Sequence, residues 1–80
     1  MPMVQAPSLT LADANAGRFR CEQVLAAGLD AVRLKRLGIC AGRELELIGR
    51  GDPMVVRIGE SRIGLSRQLA SLVTVEIQVP

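Results

Sequence analysis

The sequence has no histidine, tryptophan or tyrosine, and Phe19 is its only aromatic residue. Without histidine, the chain lacks the side chain that ordinarily exchanges protons near neutral pH, and it also lacks the commonest metal ligand. Single-stranded nucleic acids are usually bound by stacking bases on aromatic rings, and proline-rich peptides lie in aromatic-lined grooves. One phenylalanine supplies neither surface, so both classes of binding are disfavoured.

Cysteine is also scarce, since Cys21 and Cys40 stand far apart and form no Cys-x-x-Cys pair. Disulfides are rare in the cytosol, and a zinc site usually needs four ligands at recognisable spacing. The sequence therefore predicts two free thiols, with no metal site and no cofactor.

No apolar run approaches the roughly 20 residues of a membrane span, and the first residues lack the pattern of a signal peptide. We therefore expect a cytoplasmic protein without membrane insertion. The 80 residues, 49% hydrophobic and 22% charged, indicate one folded domain. Residues 1–8 have no pattern and predict a loose tail, which leaves 9–80 as the domain. A net charge of +2 is too small for the basic surface of a nucleic-acid-binding domain.

Hydrophobic periodicity predicts short strands joined by glycine-rich turns. The predicted strands are 17–26, 44–48, 54–58, 62–65 and 73–79, and the predicted helical segments are 9–17, 30–37 and 66–70. In the first strand, Phe19 and Cys21 are expected inward, with Gln23 a weaker candidate. In the last strand, Val73, Val75, Ile77 and Val79 are expected inward, and Thr74, Glu76 and Gln78 outward. About five short strands predict a mostly β, closed or nearly closed small barrel.

The helix over 30–37 has the clearest local signals. Asp30 is a favourable N-cap residue, and Leu34 and Leu37 recur at helical spacing. Gly38 is expected to end the helix in a left-handed conformation, which would bring Ile39 against Leu34. The basic residues Arg33, Lys35 and Arg36 lie on the remaining surface.

No catalytic constellation appears in the sequence. Ser61, Ser66 and Ser71 have no activating base, and Glu44 and Glu46 are expected on a solvated face of a strand. The Gly-Arg-Gly-Asp-Pro turn over 49–53 is followed by a strand, whereas a phosphate loop is followed by a helix. We therefore expect a protein that acts by binding and not an enzyme.

Several short segments together resemble the FeoA family. Residues 9–17 (LTLADANAG) resemble its entry segment, 34–42 (LKRLGICAG) its helix and turn, and 51–56 (GDPMVV) its hairpin. Residues 63–70 (IGLSRQLA) and 73–75 (VTV) resemble its closing motifs. The order and spacing of these motifs over most of the chain carry the resemblance. Cys40, Ala41 and a shorter loop before Gly51 depart from the family pattern and alter the surface of the loops.

The resemblance implies an SH3-like barrel of about five strands with one or two short helices. It also implies a cytoplasmic accessory protein of bacterial ferrous iron transport, whose partner is the membrane transporter FeoB. The expected partner-binding residues are Leu34, Arg36, Leu37, Gly38, Arg50, Asp52 and Pro53. An unpaired edge strand would permit a homo-oligomer, which the sequence does not decide.

Three alternatives stand beside this interpretation. The first is a small metal-binding chaperone or sensor that uses Cys21, Cys40 and carboxylates. The second is the SH3-like module of a metal-dependent regulator, which would need a DNA-binding domain ahead of it. The third is a nucleic-acid binder that uses the arginine surface, against which the weak net charge counts.

Overall fold

The computed structural model describes residues 9–78, so the predicted tail 1–8 and Val79 lie outside the described residues. Six strands and two helices follow one another along the chain, with one 3-10 turn near the start. The strands are β1 (Leu9–Thr10), β2 (Gly17–Val24), β3 (Glu44–Gly49), β4 (Met54–Ile58), β5 (Ser61–Leu65) and β6 (Val73–Ile77), the helices are α1 (Gly28–Arg36) and α2 (Arg67–Ala70), and the 3-10 turn is Leu11–Asp13.

The strands form one antiparallel sheet in the order β1-β6-β2-β3-β4-β5. β1 and β5 are therefore its two edges. The inward side chains are almost all aliphatic, and Leu11, Leu34, Met54, Val56 and Val73 are fully buried. The mostly β prediction is confirmed, and the sixth strand is the two-residue β1.

The first segment differs from the single helical turn predicted over 9–17. Leu9 and Thr10 pair with β6, and only Leu11–Asp13 turn. Thr10 caps this turn, since its hydroxyl accepts from the backbone N–H of Asp13 at 3.3 Å and donates to the Asp13 carboxylate at 3.2 Å. The turn ends at Ala14, and Gly17 begins β2 instead of stopping a helix.

Two wrong predictions of burial lie beside a β-bulge in β2. The register against β6 shifts between Cys21 and Gln23, which leaves Gln23 exposed. Its partner Thr74 was expected in water but is 4% exposed, and its hydroxyl donates to the Gln23 carbonyl at 3.2 Å. This hydrogen bond satisfies the buried hydroxyl.

Ile77 was predicted to lie in the core but is 66% exposed. It lies opposite the buried Phe19, so it is on the inward face of the sheet as expected. β6 ends at this residue, and only part of its side chain is covered there. The alternation in β6 therefore predicted the face correctly and the burial wrongly.

α1 begins at Gly28, two residues before the predicted start, and its N-cap Ala27 makes no side-chain cap bond. Asp30 is thus not the N-cap but lies in the first turn, where the helix dipole favours a negative charge. The C-terminus is as predicted. Gly38 has φ 89°, its N–H donates to Lys35 O at 3.0 Å, and the N–H of Ile39 donates to Leu34 O at 2.9 Å, the two bonds of a Schellman motif.

The β3–β4–β5 region follows the prediction closely. β4 has the predicted bounds, with Met54, Val56 and Ile58 buried and Arg57 exposed. Gly59 (φ 60°) and Glu60 form the two-residue turn into β5, since Ile58 pairs with Ser61. The following helix α2 is capped as expected by Ser66, whose hydroxyl accepts from the Leu69 N–H at 3.2 Å.

Candidate functional site

The turn over residues 50–53, between β3 and β4, is bound by Arg67. One guanidinium nitrogen of Arg67 donates to the Arg50 carbonyl at 2.7 Å, and the other donates to the Ala12 carbonyl at 2.8 Å. The backbone N–H of Arg67 also donates to the Asp52 carboxylate at 3.4 Å. One arginine therefore connects the turn, the 3-10 turn and α2.

This network fixes how the predicted binding residues of the turn are presented. Arg50, Asp52 and Pro53 are all exposed. One carboxylate oxygen of Asp52 accepts a hydrogen bond from the Arg67 backbone N–H. The exposed Arg50 side chain makes no hydrogen bond or ion pair with residues 9–78, so it is available to a partner. Sequence reasoning missed Arg67, although it falls within the family-like segment 63–70.

The residues predicted on and after α1 divide into two kinds. Leu34 has 0% exposure and is part of the core, so its side chain holds the helix on the barrel and does not reach a partner. Arg36 is exposed, and Leu37 and Gly38 are half-buried. The expectation that Leu34 contacts a partner is therefore corrected, while the other three residues stay predicted contacts.

The structure does not bring the two predicted segments together. A Cβ placed on Gly38 would lie 3.7 Å from Cγ2 of Ile58, so the end of α1 packs at the C-terminal end of β4. Pro53 directly precedes the other end of β4. Because β4 has five residues, these ends are about 13 Å apart, and the two segments form separate surfaces.

α1 also presents apolar residues that sequence reasoning missed. Leu29 is 76% exposed and Val32 is 46% exposed, and their i, i+3 spacing places them on one side of the helix. Arg33 and Arg36 follow at the next helical spacing, and both are exposed. We call these four residues, Leu29, Val32, Arg33 and Arg36, the α1 surface. The i, i+3 spacing of Leu29 and Val32 is present in the sequence, but the predicted helix began at Asp30 and therefore did not include Leu29.

The two cysteines lie close together because the loop after α1 pairs with β2. The Cys21 N–H donates to Arg43 O at 2.8 Å, and the Gly42 N–H donates to Cys21 O at 2.8 Å. Cys21 is buried and Cys40 is exposed, and both are free thiols. Among residues 9–78, no three Cys, Asp or Glu side chains are grouped so that they could hold a metal ion.

Burial raises the pKa of the Cys21 thiol above its ordinary value of 9.0, and the neighbouring Cys40 and Glu22 act in the same direction. The native state therefore holds this proton more tightly than the unfolded chain. As the pH rises past about 9, the unfolded thiol ionises first, so the free energy of unfolding is expected to fall. Urea unfolding between pH 7.5 and 10 measures this decline.

Two variants assign the decline to one thiol. The chain has no histidine or tyrosine to confuse this range. Cys21→Ala is expected to have a lower free energy of unfolding at pH 7.5 because it leaves a cavity. Its free energy of unfolding should then change little with pH above 8.5. Cys40→Ser should keep most of the decline. An equal slope in wild type and Cys21→Ala would contradict the assignment.

A surface depression of about 380 Å³ is lined by Glu44 and Glu46, the two glutamates considered as a candidate acid–base pair. Glu46 is bound to Arg57 at 2.8 Å, across adjacent strands where the two residues are direct partners. Arg18 also lines the depression. Glu46 is thus one member of an ion pair on the sheet surface.

In the part of the chain that the structure describes, no helix is long and apolar enough to span a membrane. Both helices are shorter than ten residues.

A family model, the FeoA domain, matches residues 9–77. No curated protein matches the chain significantly. Among solved structures, the FeoA protein of Chlorobium tepidum is 28% identical, with 89% of this chain and 71% of that chain covered and a TM-score of 0.78. The zinc complex of Stenotrophomonas maltophilia FeoA, an SH3 domain protein, is 26% identical, with 85% and 89% covered and a TM-score of 0.72.

The manganese regulator SloR shares the fold at 15% identity and a TM-score of 0.78. The match covers 86% of this chain but 34% of SloR, so the chain spans about a third of that regulator. At this identity the likeness concerns the fold alone. Together, the comparisons and the six-stranded sheet show an SH3-like fold, as the sequence motifs predicted.

Proposed function

The chain belongs to the FeoA family, and on this premise we propose that it is a cytoplasmic accessory protein of ferrous iron transport that binds the membrane transporter FeoB. The family match over residues 9–77 supports the transport role. The S. maltophilia relative has been put forward as an activating factor for ferrous iron transport, and we extend that role to this chain. It would act by contact and not by catalysis.

The α1 surface is the observation that carries the proposal. Exposed apolar side chains occur singly on most protein surfaces, but Leu29 and Val32 are neighbours on one helix. Arg33 and Arg36 flank them, and arginine beside apolar residues is a composition that protein interfaces favour. An apolar centre with a cationic margin fits a partner surface that has an apolar patch and acidic residues around it.

The turn over 50–53 is a second contact candidate. Arg67 binds the Arg50 carbonyl and the Asp52 carboxylate, so the backbone of the turn and the Asp52 side chain have less conformational freedom to lose on binding. Because it lies at the other end of β4 from α1, one small partner segment would not cover both. A partner that contacts only one of them would leave the other unchanged, which an experiment can distinguish.

The metal-chaperone alternative is disfavoured by the geometry. Thiolates and not thiols bind metals, and burial holds Cys21 in the thiol form to higher pH than usual. Within residues 9–78 the two cysteines have no third ligand grouped with them. The zinc in the S. maltophilia complex belongs to that protein.

The test is an amide NMR titration of the labelled chain with FeoB, using both its isolated cytoplasmic G-protein domain and the full-length transporter in lipid nanodiscs. We expect localised shifts or line broadening in α1, with smaller effects at Arg50 and Asp52. An equal quantity of empty nanodiscs is the control, since it reports contact with lipid alone.

Each outcome has a defined meaning. Broadening confined to α1 would support the proposal and assign the α1 surface as the contact. Broadening confined to 50–53 would keep FeoB as the partner but move the contact to the turn. Unchanged spectra with both forms of FeoB would refute the proposal, and a titration with Fe²⁺ would then test the metal-binding alternative directly.

A further inference from the structure

The outer face of the sheet carries rows of charges that run across the strands. In one row, Glu76, Arg20 and Glu44 are successive direct partners on β6, β2 and β3. Their charges alternate, and Arg20 contacts Glu76 at 3.5 Å. Opposite charges directly across antiparallel strands stabilise a sheet, and like charges destabilise it.

A second row, which we call the edge row, breaks this alternation. It consists of Arg18, Glu46, Arg57 and Arg62 on β2, β3, β4 and β5, and each residue is the direct partner of the next. Glu46 is bound to Arg57 at 2.8 Å. Arg62, on the edge strand β5, is therefore the direct partner of Arg57, whose charge is already paired with Glu46.

Among residues 9–78, no strand pairs with β5 on the side that faces away from β4. Ile58 and Ser61 flank a two-residue turn, so they form a hydrogen-bonded pair, and such pairs alternate along an antiparallel ladder. Arg57–Arg62 and Val55–Gly64 are consequently pairs that exchange no backbone bonds. The N–H and C=O groups of Arg62 and Gly64 thus point outward from the sheet edge, and both residues are exposed.

We propose that β5 accepts an extended acidic segment of the partner as a seventh strand, with a carboxylate directly beside Arg62. Backbone groups of Arg62 and Gly64 would pair with the incoming strand, as in other cases of strand addition to a sheet edge. A carboxylate at this position would follow Arg62 in the edge row, so that the row would end on a negative charge. It gives Arg62 the counter-charge that the row lacks.

The charge of β5 also argues against a second copy of this chain as the occupant. The strand reads Ser-Arg-Ile-Gly-Leu and contains one cation and no carboxylate. Pairing two copies of β5 would bring two Arg62 side chains to one edge without a counter-charge within either strand. The edge thus favours a partner of opposite charge.

This inference rests on the proposed function, because the acidic segment is assigned to a cytoplasmic part of FeoB. It places a contact beside α1 and adds to it, since Gly38 after α1 packs on Ile58 at the end of the β4–β5 hairpin.

The experiment measures binding of the chain to full-length FeoB in nanodiscs, together with amide hydrogen exchange of the bound chain. We expect the exchange of the Arg62 and Gly64 amides to slow by about tenfold or more, as edge amides do when they gain a partner. Arg62→Glu should weaken binding by about tenfold. The dissociation constant is read by biolayer interferometry.

A matched pair separates this site from general electrostatics. Arg62→Gln and Arg18→Gln remove the same charge from the same edge row, but β2, which carries Arg18, is paired on both sides. We expect weaker binding for Arg62→Gln and unchanged binding for Arg18→Gln. Arg62→Glu should also raise the melting temperature of the free chain, because it places a carboxylate opposite Arg57. A residue with only a structural role would not lower affinity while raising stability.

The outcomes are distinguishable. If wild type binds FeoB, but Arg62→Glu binds equally well and the two amides exchange as before, the edge assignment is overturned and the proposed function stands. If wild type does not bind FeoB, both are overturned. Slowed exchange of the same amides in the concentrated chain alone would assign the edge to a second copy and overturn the acidic-segment inference.

Discussion

Leu34→Ala is expected to lower the free energy of unfolding by about 3 kcal/mol, as for other fully buried leucines. Leu34 has 0% exposure, and its carbonyl also accepts the Ile39 N–H that completes the end of α1. Replacing the isobutyl side chain by a methyl group leaves a cavity between the helix and the sheet. A domain of this size has a total stability of only about 4–12 kcal/mol, so the loss is a large part of it.

Leu29→Ala is the matched control, since it makes the same change on the same helix where the side chain is 76% exposed. We expect its stability to stay within about 0.5 kcal/mol of wild type, while its affinity for FeoB falls. Urea unfolding and binding to FeoB are measured for both variants. Leu34→Val, which leaves a smaller cavity, keeps the comparison usable if Leu34→Ala does not fold. Wild-type stability in Leu34→Ala would contradict the burial of this residue.

Arg67→Met is expected to cost about 2–4 kcal/mol of stability. Hydrogen bonds from a charged group are each worth about 1.5–3 kcal/mol, and the bond to Arg50 contributes less because it is exposed and water can replace it. The guanidinium donates to the carbonyls of Ala12 and Arg50, and methionine keeps the apolar stem but supplies no donor. The two acceptors lie in segments that the strand ladder does not join directly. Losing the guanidinium therefore loosens the 3-10 turn and the 50–53 turn together.

Two further variants make the Arg67 test specific. Arg67→Lys keeps the charge, but its single ammonium lacks the planar fork that reaches two carbonyls at once, so an intermediate loss is expected. Arg50→Met leaves the Arg50 carbonyl in place and should change stability by less than about 0.5 kcal/mol. Chemical denaturation of the three variants ranks them. Equal stability of Arg67→Met and Arg50→Met would show that the guanidinium bridge contributes nothing.

The local elements were largely predictable because their signals lie within a few neighbouring residues. Gly38 after Leu34 predicted the left-handed end of α1. Ser66 predicted the cap of α2, and strict alternation predicted the bounds of β4. Glycine in a left-handed turn and a hydroxyl at an N-cap act on the backbone beside them, so the sequence around them is sufficient.

The predictions failed where burial depended on a distant segment. Alternation alone placed Thr74 in water, yet it is buried where it pairs with Gln23 beside the bulge of β2. Alternation placed Ile77 in the core, yet it lies at the end of its strand and stays exposed. A periodic pattern defines which face a residue is on, but the elements packed over that face decide whether the residue is covered.

The features of the candidate site also divide into those that the sequence predicted and those that depend on the tertiary structure. The sequence by itself determined a small aliphatic β domain, the helix that ends at Gly38, the turn over 50–53, and the motifs of the family. Only the tertiary structure showed that Leu34 is core and Leu29 is surface, and that α1 and the turn lie at opposite ends of β4. It also showed that Arg62 ends a row of charges on β5, an edge strand among the described residues. Those facts depend on contacts between residues far apart in the chain, such as Arg67 and Ala12, which are 55 positions apart. Local propensity carries no record of such contacts, because they form only when the strands and helices pack together.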